Sequence, residues 1–209
     1  MHIYAFGSIC RGDVSPNSDV DLLAIVDGHD ERFNPNDYSI YSYRRIKQIW
    51  ADGNPFAWHL ASESRLLFTS DKTDFLCSLG APGRYERALE DCLKFYALFA
   101  EAKRSMETNA STVIFDLSTI FLSIRNFATC FSLGALDQPE FSRKSAIRIG
   151  EFSLEIDKRA FACLERARIL STRALGSPIN EAELGTITQE FPAIQAWMDR
   201  LLRKIKGYD

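Results

Sequence analysis

Asp19 and Asp21 stand two residues apart, and ten residues separate Asp19 from a Phe6-Gly7-Ser8 segment. A strand throws residues i and i+2 to the same face, so the two carboxylates form a hard-oxygen pair. Such a pair suits magnesium bridged to a triphosphate. Gly7 ends a short apolar run in a tight turn, where a side chain would block close approach of a phosphate. Ser8 then opens a helix, and its hydroxyl and the unpaired N–H groups of a first turn can hold phosphate oxygens.

The elements that must carry these residues are readable from texture. Ile3–Phe6 reads as a strand entering the turn. The run DVDLLAIV over Asp19–Val26 reads as a strand buried on much of its surface. Gly28–Asn36 is a connection, and DYSIYSY from Asp37 to Tyr43 returns to strand-like density. Arg44–Ala51 carries Ile46, Ile49 and Trp50 at helical spacing and is stopped by Asp52-Gly53-Asn54-Pro55. A further apolar stretch ends at Arg65-Leu66-Leu67-Phe68.

Beyond Asp71 the apolar residues recur every three or four positions. Stripes run through Leu89, Leu93, Tyr96, Ala97 and Ala100; Leu117, Ile120, Phe121, Ile124, Phe127 and Ala128; Phe161, Leu164, Ala167 and Leu170; and Ile194, Trp197, Leu201 and Ile205. The chain therefore reads as α+β, with an N-terminal β-containing domain over residues 1–80 and an all-α helical bundle over 84–209. The Gly/Pro cluster Leu79–Gly83 marks the boundary.

With 46% hydrophobic residues, 25% charged and a net charge of -3 in 209 residues, the chain is globular and not disordered. A pI near 5.7 argues against nucleic acid as a partner, since neutralising phosphates takes many Lys and Arg. No uninterrupted apolar run reaches a membrane span, and the N-terminus has neither the charged region nor the cleavage site of a signal peptide. Cys10, Cys77, Cys92, Cys130 and Cys163 are scattered, and the only histidines are His2, His29 and His59. A disulfide framework and a zinc site are both disfavoured, and a reducing, cytoplasmic setting is expected.

The stretch FGSICRGDVSPNSDVDLL resembles the signature of the nucleotidyltransferase superfamily of DNA polymerase beta, aminoglycoside nucleotidyltransferases and minimal nucleotidyltransferases. Gly7, Ser8, Arg11, Gly12, Ser18, Asp19 and Asp21 all match. The resemblance implies a small mixed β-sheet with flanking helices. It also implies a third carboxylate on a neighbouring strand that completes a two-magnesium site and helps orient the acceptor hydroxyl. Asp37 is the candidate, with Glu63 a more distant fallback. Gly7, Ser8 and Arg11 would then face the phosphates of a nucleoside triphosphate, expected to be ATP. Aminoglycoside adenylyltransferases carry a short segment similar to Phe141–Ala146. That likeness makes Lys144 a phosphate contact, with Arg143 as an alternate and Ser142 as a helix N-cap. Ile124-Arg125-Asn126-Phe127 is similar in setting to HEPN-type motifs but lacks their histidine.

The acceptor is expected to be a hydroxyl of a small molecule such as an aminoglycoside, or of a protein. Glu101, Asp116, Glu151 and Glu155 are the acids that could line a cleft for a cationic acceptor. The alternative is a nucleotide-binding or antitoxin-like interaction module. His59, Tyr41, Tyr43, Trp50 and Trp58 read as core, and the cations from Arg200 to Lys206 suit a helix C-terminus. A first strand beginning almost at Met1 leaves a sheet surface that a second copy could cover, so a homodimer is expected.

Overall fold

The computed structural model describes residues 1–13, 20–28, 30–136 and 138–207. Contacts divide the chain into two compact units, Met1–Glu86 and Arg87–Asp209.

In the first unit, the described residues form a four-stranded mixed sheet of order β3-β2-β1-β4. Its strands are β1 (His2–Phe6), β2 (Asp21–Ile25), β3 (Tyr38–Tyr41) and β4 (Ser64–Thr69). β1 runs antiparallel to both β2 and β4, whereas β2 and β3 are parallel, with Leu22 opposite Tyr38. Strand alternation then sorts the side chains. Tyr4, Phe6, Leu23 and Ile25 enter a core with Ile46, Ile49, Trp50, Ala57 and Leu60. Ala24 and Val26 face the other way and are covered by Phe33 from the β2–β3 crossover. Part of the surface expected to need a second copy is therefore covered by the chain's own connection. Leu67 and Phe68 on β4 remain exposed.

Helices α1 (Ser8–Arg11), α2 (Tyr43–Ala51), α3 (Pro55–Glu63) and α4 (Phe75–Ser78) complete this unit. Periodicity alone leaves the residues between Pro55 and Phe68 as one undivided apolar stretch, but the chain starts α3 at Pro55 and turns into β4 at Ser64. Asn54 Oδ1 accepts from Phe56 N at 2.8 Å, and Pro55 occupies the first turn, where its missing N–H costs nothing. At the α2–α3 corner, Gly53 meets the backbone of Gly83 and Arg84 so closely that an added methyl would lie 2.3 Å from either carbonyl oxygen. Gly83 N donates to Trp50 O, and Trp58 Nε1 donates to Gly83 O. These bonds bind the Gly/Pro segment to the first unit, and the division falls after it, at Glu86.

The second unit comprises α5 (Ala88–Thr108), α6 (Val113–Ala135), α7 (Lys158–Arg173), α8 (Glu181–Gln189) and α9 (Phe191–Ile205). α5 and α7 pack along α6. The α6 stripe is buried as read, but α5 is turned from its expected phase. Leu93 is exposed, and Ala88, Cys92, Phe99 and Ala102 form the buried face. Small residues there let the backbones approach, and Cys92 Sγ reaches Phe127 O. α6 is long and apolar enough to cross a membrane by length and composition. Here its Phe121, Ile124, Phe127 and Phe131 are core residues.

Candidate nucleotide site

β1 delivers Gly7 to a corner that only glycine fills without strain. Its φ is 75° and its ψ −141°, and a methyl added there would lie 2.7 Å from Asp21 Oδ2. The missing side chain is what lets the Asp21 carboxylate lie against the turn. Asp21 opens β2 directly opposite Phe6, so the ladder fixes its height beside Gly7. Ser8 begins α1, and among the described residues its hydroxyl makes no hydrogen bond. The α1 turn is closed by Arg11 N to Gly7 O and by Asp13 N to Ser8 O.

The parallel register brings the next acid in. With Leu22 beside Tyr38, the residues one step earlier, Asp21 and Asp37, stand side by side at the same edge of the sheet. Asp37 N donates to Asn34 O, closing the turn from which β3 starts. Asp21 and Asp37, with Val20, Leu22, Pro35, Asn36, Tyr38 and Ser39, line an open cavity of ≈ 440 Å³. Asp19 and Ser18, the remaining signature residues, lie outside the described residues. Among the described residues no cluster of three or more His, Cys, Asp or Glu is poised to hold a metal. Two exposed carboxylates at one cavity are nonetheless the donor type that a magnesium ion takes.

Glu63, the fallback acid, is engaged elsewhere. Its carboxylate accepts from Arg11 Nη1 and lies 2.9 Å from His59 Nε2. His59 is therefore more polar in its contacts than a plain core histidine, although its ring packs edge-on against Phe6. Between these groups, burial pushes the Cys10 thiol up from its ordinary range, and the thiol donates to Ala5 O.

Lys144 belongs to the other compact unit. The segment around it is not the start of an α-helix. Ser145–Ile147 is a single 3₁₀ turn, and Ser142 Oγ accepts from Lys144 N within a local loop. Lys144 is exposed, and its charge, with those of Arg143 and Arg148, offsets part of the burial that pushes the Glu165 carboxyl up. Arg125 is packed inside the unit and donates weakly to Phe141 O. Asp116 is not a surface acid available to a ligand. It is buried, and its Oδ2 accepts from Ser105 Oγ at 2.9 Å and Thr112 Oγ1 at 2.7 Å, so the side chain is engaged within the fold. Glu101, Glu151 and Glu155 are exposed.

Searches of the curated proteins and of the solved structures found no match to the chain. Residues 2–93 match the family model described as a nucleotidyltransferase domain. The match spans β1 through β4, and with them the Gly7 turn, Asp21 and Asp37. By that match, residues 2–93 are similar to nucleotidyltransferase domains.

Proposed function

We propose that the protein is a magnesium-dependent nucleotidyltransferase that moves AMP from ATP to a hydroxyl of a small molecule, such as an aminoglycoside, or of a protein. The observation that carries this reading is the Asp21 carboxylate lying against the side-chain-free Gly7 turn, at a cavity shared with Asp37. Ser8 receives the triphosphate through its backbone N–H and hydroxyl, on a turn that Gly7 keeps free of a side chain. Asp19, Asp21 and Asp37 are the residues that hold magnesium. When bound, the metal neutralises phosphate charge and favours in-line displacement at the α-phosphorus.

Asp37 also orients the acceptor hydroxyl, whose oxygen forms the new bond to the α-phosphorus as the bond to pyrophosphate breaks. The chain's own contribution is positioning on a rigid strand pair, the kind of effect that supplies much of the rate in phosphoryl chemistry.

The test is incubation with ATP labelled at the α-phosphate, magnesium and a panel of aminoglycosides or a cell extract. Pyrophosphate release with label transfer is expected, and Asp19→Ala and Asp21→Ala should each abolish it. ATP binding without turnover on any acceptor would replace the enzyme with a nucleotide-binding module.

A further inference from the structure

We infer that Arg11 is a positioning residue, held by Glu63 and His59 so that the turn from Gly7 to Asp13 is set before any phosphate arrives; this rests on the nucleotide site proposed above. Arg11 Nη1 donates to Glu63 Oε2, and the same oxygen lies 2.9 Å from His59 Nε2. Arg11 Nε reaches Asp13 Oδ2 at 3.4 Å. The Arg11, Glu63 and His59 side chains are only 19%, 14% and 16% exposed. Glu63 also grips the turn through its backbone, since Gly7 N donates to Glu63 O at 3.3 Å. The last residue of α3 therefore holds both ends of α1.

This grip matters on two counts. α1 is a single turn, too short to hold its own shape, because one helical turn fixes several dihedrals for about one hydrogen bond. A phosphate cradle works only when its donors are already aimed, so the order must come from outside the turn. In addition, the planar fork of the guanidinium makes the grip directional, and lysine cannot reproduce that geometry. An Arg11 that left Glu63 to reach a phosphate would strand a largely buried carboxylate.

The experiment pairs amide hydrogen exchange with calorimetric titration of magnesium–ATP, in wild type, Glu63→Gln, Arg11→Lys and the double variant, with His59→Gln as a milder perturbation. Glu63→Gln should speed exchange of the amides in Gly7–Asp13 about tenfold, leave β2 and α2 unchanged, and weaken magnesium–ATP about tenfold. Arg11→Lys should do the same, and the double variant should be no worse than either single one. The inference is overturned if exchange in the turn is unaltered in Glu63→Gln. It is equally overturned if Arg11→Lys costs far more affinity than Glu63→Gln and the two losses multiply, because Arg11 then touches phosphate directly. Wild type that binds ATP with Glu63→Gln binding equally well refutes this inference alone. Wild type that takes up no magnesium–triphosphate refutes the nucleotide site and this inference with it.

Discussion

Gly7 does two jobs that no other residue type can share: it adopts a positive φ, and it leaves room for the Asp21 carboxylate. Gly7→Ala should therefore cost about 1–3 kcal/mol of stability in backbone strain alone. It should also push Asp21 Oδ2 out of place, so affinity for magnesium–ATP should fall further than the loss of stability explains. Chemical denaturation and calorimetry on the same variant separate the two effects. Asp21→Asn keeps the shape of the side chain and removes its charge. Turnover should fall about 1,000-fold, about 4 kcal/mol of transition-state stabilisation, with the denaturation midpoint nearly unchanged. Asp37→Asn should behave in the same direction under the same assay, because the register sets it beside Asp21.

At the scale of the element, the connection between β4 and α4 is stabilised by its own polar groups. Asp71 lies between β4 and α4, where Thr73 N, Thr73 Oγ1 and Thr69 Oγ1 all donate to its Oδ1. These bonds, led by the Thr73 hydroxyl, hold its carboxyl well below the usual aspartate range. A depressed folded-state value contributes stability above the unfolded value, which is lost as pH falls through the folded one. Asp71→Asn should accordingly lower the melting temperature at pH 7, and the gap to wild type should close progressively in acid. Melting curves across that range check the sign.

The same scale shows what the sequence could and could not disclose. The order strand, Gly-Ser turn, strand was legible because Gly7, Asp21 and the DLLAI run each have one dominant physical use. α6 was legible because its stripe is long and unbroken. α3 was signalled by Asn54-Pro55, yet its short apolar stretch is compatible with strand or helix and periodicity does not decide between them. α8 has a local signal in the Asn180–Glu183 capping box, which the stronger punctuation of Gly176 and Pro178 overshadows. The grip of Glu63 on Arg11 joins residues far apart in the chain, and the anchoring of Asp116 by Ser105 depends on how α5 and α6 pack. Neither has a local signature.

At the scale of the molecule, each compact unit buries a core of its own. In the second, Phe99, Phe121, Phe127, Phe131, Leu164, Ile194 and Trp197 all come from α5, α6, α7 and α9. Residues 87–209 expressed alone should keep helical circular dichroism and unfold cooperatively in urea. Trp197→Ala in that fragment should cost about 3–5 kcal/mol. It removes packing on Phe127 as well as the donation from the indole N–H to Phe152 O at 2.7 Å.

The tight passage of Gly53 against Gly83 and Arg84 carries a lesson for anyone mapping tolerance across this chain. Two stretches of main chain slide past one another there with no space for even one extra carbon. A saturation screen scored only by product formation will flag both positions as fiercely as Asp21, although neither handles phosphate. Scoring soluble yield alongside turnover will tell a fold that cannot close from a missing reagent.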